Sequence, residues 1–198
     1  MGKLSMTTLL LLGGFAAGWA QEPTPKAEPE RYNGIIMVMG ARGSGVTRVT
    51  IRVDRLSTED ERKTYLEALK SKGSDGLAQA MEKVTVGSIQ FDQNLAYPLA
   101  YAIKVATEKG TMIRVATNRP ISFTEQMQGF VSKDYQIGIA EFTLSPDGKG
   151  EGTILGASKV EFNDKGQLQV HSLPQNTGPQ KITEIERVPI KGKRVEPE

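Results

Sequence analysis

The chain has 198 residues, with 25 Lys and Arg against 23 Asp and Glu, one His and no Cys. That length suits one domain with a real core, and the near-neutral charge gives no reason to expect nucleic acid or an anionic membrane surface as partner. The missing Cys excludes disulfides, thiolate metal sites and cysteine nucleophiles, and the single His excludes any site built on two imidazoles.

Residues 1–20 carry the three parts of a secretory signal. Lys3 supplies the positive start and an apolar run extends from Leu9 to Ala17. Gly18 and Ala20 then place small residues before a cut at Gln21. The run is too short to cross about 30 Å of hydrocarbon. The expectation is an exported chain, periplasmic or secreted, with no stable membrane insertion after the signal is removed. Residues 21–31 hold Pro23, Pro25 and Pro29 among alternating charges and read as a disordered leader. The polar stretch 189–198 reads as a disordered tail, which leaves 32–188 as a single β-rich domain.

Within that domain the dominant period is two. Ile35 to Met39 form a short apolar run between Gly34 and Gly40, and Val49, Ile51 and Val53 alternate with polar residues. Tyr101, Ile103 and Val105 share one face of a strand, Ile113, Val115 and Thr117 share another, and Glu108-Lys109-Gly110 lies between them as a turn. Ile137 to Leu144 reads as a strand whose alternation slips near Ala140. Ser145-Pro146-Asp147-Gly148 and Asn163-Asp164-Lys165-Gly166 are turn strings that join strands near 136–145, 151–162 and 167–173. A last strand falls near 181–188. Residues 58–84 break the pattern. Thr58 and Glu61 form a capping box, Tyr65, Leu66 and Leu69 share a helical face, Gly73 ends that helix, and Asp75 caps a second. The fold class is therefore mainly β with a helical insertion (α+β). The expected architecture is an antiparallel sandwich or partly closed barrel of about nine strands with a helical hairpin near 58–84.

The motifs that could carry chemistry are weak. Gly40-Ala41-Arg42-Gly43-Ser44-Gly45-Val46-Thr47 has the glycine spacing of a phosphate loop, but Val46 stands where a Lys must reach the phosphates, and a strand follows instead of a helix. It reads as a hairpin loop. His171 would need a Ser such as Ser44 or Ser158 and an acid to form a hydrolytic site. Glu141, Glu151 and Glu161 lie on successive strands, where two could pair for acid–base work. Asp147-Gly148 and Asp164-Lys165-Gly166 lack the alternate acids of a calcium loop. Tyr97-Pro98-Leu99-Ala100-Tyr101 and Asn118-Arg119-Pro120 mark strand ends, and Arg119 could hold a carboxylate by its planar fork. The ligand-binding candidates are Arg119, Tyr97, Tyr101 and Arg42. Nothing calls for a cofactor or a metal.

Several strings resemble those of an uncharacterised family of small secreted bacterial proteins. They are Val49-Thr50-Ile51-Arg52-Val53-Asp54 with Ser57-Thr58-Glu59-Asp60-Glu61, Tyr97 to Ala102, Val115 to Ile121, and Gly148-Lys149-Gly150-Glu151-Gly152. The likeness spans most of 33–188 and carries no established activity. It implies a bacterial exported protein and nothing further. The leading expectation is a non-enzymatic exported domain that binds a small apolar or amphipathic ligand, carrier-like, or a protein partner such as an envelope protein. Residues 40–45 and 58–84 would line the mouth of a cavity, and a core filled with side chains would count against it. The alternatives are a structural or interaction protein of the bacterial envelope, and a hydrolase using His171.

Overall fold

A computed structural model describes residues 28–40, 43–92, 96–121, 134–172 and 179–190. The expected signal, most of the expected leader, the expected tail from 191 and Arg42 lie outside the described residues. Nine strands and one helix follow in the order β1 (Glu30–Gly40), β2 (Gly43–Val53), α1 (Glu59–Met81), β3 (Gly87–Phe91), β4 (Tyr97–Thr107), β5 (Gly110–Thr117), β6 (Ile137–Leu144), β7 (Lys149–Phe162), β8 (Leu168–Ser172) and β9 (Gln180–Val188). All pairings are antiparallel. The strands run β6-β5-β4-β3-β2-β1-β9-β7, and β7 pairs back with β6, so eight strands close a barrel. The ninth, β8, pairs with the far end of β7 beyond the reach of β9. The architecture is thus a closed barrel with an extra strand and a helical insertion.

The sequence explains the closure. In an eight-stranded barrel the interior is just wide enough for side chains to fill. Tyr32, Ile36, Ile51, Ile89, Leu99, Ile113, Phe142, Ile154 and Ile182 fill it, each almost wholly buried. Tyr32 and Phe142 meet edge to face at 5.1 Å between ring centroids. Bulges decide which residues reach this core. Glu184, at φ 51°, lies where β9 changes register against β1, so Ile182 and Ile185 both turn inward although they are three apart.

Three expectations need correction. Strand β1 begins at Glu30, inside the expected leader, and Gly34 lies within it rather than at its edge. Strand β6 alternates without a slip at Ala140: Gly138, Ala140, Phe142 and Leu144 face the interior, and the register shift lies opposite, between Leu155 and Ser158 of β7. Gly73 ends the first helical segment of α1 as expected: its φ of 65° is non-helical and suits glycine, and a second segment follows it to Met81. Asp75 accepts a hydrogen bond from the Gln136 side chain at 3.1 Å, and its neighbour Ser74 is buried and accepts one from the Val160 amide at 3.3 Å. The capping box forms as expected. The Thr58 hydroxyl accepts from the Glu61 amide at 3.2 Å, and the Glu61 carboxylate accepts from the Thr58 amide at 2.8 Å. Arg55 forks onto the same carboxylate at 2.7 and 2.8 Å. That hydrogen-bonded pairing holds the Glu61 carboxyl below its ordinary pKa.

One end of the barrel is closed by charge. The Tyr32 hydroxyl donates to Glu30 at 2.7 Å, Arg187 reaches the same carboxylate at 2.8 Å, and Lys104 contacts it too. Burial alone would raise the pKa of Glu30. The hydrogen bonds from Lys104 and Tyr32, with the charges of Lys104 and Arg187, outweigh it and hold the carboxyl below its ordinary value. A depressed acid stabilises the fold above its unfolded pKa and loses that contribution as pH falls through the folded one. Glu30→Gln is therefore expected to cost about 2 kcal/mol at neutral pH, because Lys104 and Arg187 lose a shared partner. Urea unfolding from pH 7 to pH 3 should show the gap to the parent chain narrowing below 4.5, the ordinary value for Glu. A gap that stays constant across that range would contradict the assignment.

Candidate functional site

The barrel lumen is packed, so the expected enclosed cavity is replaced by a core among the described residues. The space lies outside. Helix α1 crosses the outer face of the barrel, where Tyr65, Leu69, Ala78 and Met81 bury against Ala100, Ala116, Ile137 and Val160. The Tyr65 hydroxyl donates to the Ala100 carbonyl at 3.0 Å. Burial, with the nearby charge of Glu61, pushes its pKa up to about 12, so it stays a donor at any working pH.

Beyond this contact the helix and the barrel wall diverge, and β8 stands opposite. The result is a groove of about 460 Å³. Leu66, Leu69 and Leu77 of α1 form one wall, Ala116, Ile139 and Leu155 the floor, and Leu168 and Val170 of β8 the far wall. Leu66, Leu168 and Val170 are 43%, 53% and 43% exposed, so three of the large apolar side chains left open to solvent converge here. Arg62, Tyr101, Arg114 and Glu141 supply polar lining. Arg114 donates to Glu141 at 2.6 Å through Nε and at 2.5 Å through a terminal nitrogen. Tyr101 meets Tyr65 edge to face at 6.3 Å, and burial raises its pKa while the charges of Arg114 and Arg62 pull it back.

Of the ligand candidates, Arg42 lies outside the described residues, and Tyr97, Tyr101 and Arg119 do not form one site. Strict alternation would put Tyr97 and Tyr101 on one face of β4. A register shift between Leu99 and Tyr101 against β5 turns them apart. Tyr97 packs on the barrel core, with Arg119 over its ring at 4.9 Å from the centroid, whereas Tyr101 faces the groove. Pro98 occupies the second position of β4, before pairing with β5 begins at Leu99, and Pro120 follows β5, so both prolines mark strand ends.

The other motifs resolve as structure. The glycine-rich string is the tip of the β1–β2 hairpin, paired up to Gly40 and Gly43, and β2 continues where a phosphate loop needs a helix. Ser158 is fully buried and its hydroxyl donates to the Ile137 carbonyl at 2.6 Å. His171 lies exposed on β8, 3.2 Å from Glu161, which also pairs with Lys159 at 2.6 Å. Glu141, Glu151 and Glu161 each have a different cationic partner, Arg114, Lys181 and Lys159, so no two of them share an acid–base site. The two Asp-Gly turns close on themselves: Asp147 accepts from Ser145 at 2.5 Å, and Asn163 accepts from the amides of Lys165 and Gln167.

Among the described residues no three His, Cys, Asp or Glu side chains gather to hold a metal, and no helix is long and apolar enough to cross a membrane. Fold and site together define a class: a small closed β-barrel with a filled lumen and an amphipathic groove between its outer wall, one bent helix and a ninth strand. The chain matches no family model, no curated protein and no solved structure.

Proposed function

We propose that this chain is an exported binding domain whose groove takes a small ligand with an apolar body and a polar end. The signal-like start supports export. The observation that carries the binding reading is the groove itself. Its volume lies in the range of small-molecule sites, its lining is mostly apolar, and a few polar groups are set into it. Each methylene moved from water onto such a lining contributes about 0.8 kcal/mol, so a chain of modest length binds without any covalent chemistry.

Native mass spectrometry of residues 21–198, purified from an exported preparation, tests this. The expected result is a reproducible extra mass that leaves on denaturation. Leu155→Trp, which fills the floor of the groove while leaving the barrel core untouched, should abolish it. A clean chain mass from the parent protein, together with no saturable uptake of added twelve-carbon amphiphiles, would overturn the reading. The second reading is an interaction protein of the envelope. It is favoured by Met37 and Val46, which sit opposite one another on β1 and β2 and are 61% and 66% exposed. It predicts crosslinks through that hairpin and an empty groove.

A further inference from the structure

Resting on the proposal that the groove is a ligand site, we infer that it selects amphiphiles with an acidic head group, held at the polar end by Arg62 and Tyr101. The charges that line the groove do not cancel. Arg114 and Glu141 neutralise one another through two contacts on a single carboxylate oxygen. Arg62 has no such partner in the lining. Its counter-ion is Glu59, three residues back on the helix surface, where the two side chains are 46% and 60% exposed. A surface pair of that kind is worth little, since water and salt compete for both ends. An incoming carboxylate can therefore take the guanidinium of Arg62 without breaking a strong contact, and the groove lining keeps one positive charge in excess.

Tyr101 supplies the second contact. It lines the same groove as Arg62 and Arg114, and burial raises the pKa of its phenol, so the hydroxyl remains a donor. It can donate to one oxygen of a head group while the planar fork of Arg62 takes the other. A positively charged head at the same place would face two guanidiniums and one carboxylate. A neutral alcohol would gain the phenol alone. The tail then runs along Leu69, Leu77 and Val170, away from the polar end.

The test compares three probes with the same twelve-carbon tail, dodecanoate, dodecanol and dodecyltrimethylammonium, titrated below micelle formation into residues 21–198 by calorimetry at low salt. Dodecanoate should bind about tenfold tighter than dodecanol, the gain expected from charge-assisted hydrogen bonds at a half-exposed site, and the cation should bind weakest. Arg62→Gln should bring dodecanoate down to the level of dodecanol without changing dodecanol. Because Arg62 is exposed on the helix, this variant should unfold at the parent's urea midpoint. If all three probes bind within about threefold of one another, or if Arg62→Gln leaves the preference intact, the acidic-head inference fails while the groove reading survives. If none of the three binds, the groove reading itself fails.

Discussion

Gly150→Val is expected to destabilise the barrel by about 3 kcal/mol or more, the upper range for forced overpacking. The reason is a close approach between backbones. A Cβ at Gly150 would lie 1.8 Å from the Thr143 carbonyl oxygen, and one at Gly152 would lie 2.2 Å from the Glu141 oxygen and 2.4 Å from the Phe142 Cβ. No rotamer relieves a clash with backbone. The valine therefore has to push β7 away from β6, along the seam where the barrel closes. On the other edge, β7 is paired with β9 over the same residues, so movement at Gly150 strains two ladders at once. Urea unfolding followed by far-ultraviolet circular dichroism measures the loss. A midpoint within about 1 kcal/mol of the parent would mean that the seam is looser than these contacts indicate. The same geometry gives a physical reason for Gly150 and Gly152 in the Gly148-Lys149-Gly150-Glu151-Gly152 string, where β7 passes β6 too closely for a Cβ, whereas Gly148 takes a φ of 81° in the turn.

Phe142→Ala is the second large effect, about 3–5 kcal/mol. The ring is 1% exposed and lies against Tyr32 at the centre of the filled lumen. Removing it leaves a void that eight hydrogen-bonded strands cannot collapse around, so both the lost burial and the cavity count. The effect should reach further than the cavity, because Tyr32 also donates to Glu30 and so ties the core to the charged barrel end. The loss of the Phe142 ring should weaken the near-ultraviolet dichroism of tyrosine as well as the urea midpoint. Trp19 is the only tryptophan and lies before Gln21, so residues 21–198 give a tyrosine spectrum free of indole. Phe142→Leu should recover most of the stability, since it restores volume without the ring pair. A loss below about 1.5 kcal/mol for Phe142→Ala would show that the lumen repacks.

The local signals were largely readable from residue order. Alternation located most strands, the Pro-Asp-Gly and Asn-Asp-Lys-Gly strings located two hairpins, and Thr58 to Glu61 marked the helix start. These succeed because turn chemistry and capping depend on neighbours a few residues apart. Strand β3 was missed: after a helix, five residues with Ile89 and Phe91 facing inward give too short a run to stand out. Of the described ligand-binding candidates, Tyr101 lines the groove and Tyr97 and Arg119 do not. Leu155, Leu168, Val170 and Arg62 come from elements whose contact is set by distant pairing, and nothing in their own surroundings marks them.

By itself, the order of residues determined an antiparallel β domain with a capped helical insertion after the second strand, an interruption of that insertion at Gly73, and no thiol chemistry. Each of these rests on local backbone preference or on composition. The tertiary structure alone decided that the sheet closes, that its lumen is filled by side chains and that the groove lies outside it. Closure depends on β7 pairing with β6 along one edge and with β9 along the other over the same residues, with β8 paired only further along the strand, a choice made by the fit of whole strands. The sides on which Tyr97, Tyr101, Ile182 and Ile185 emerge depend on bulges, where one extra residue reverses the face of everything beyond it.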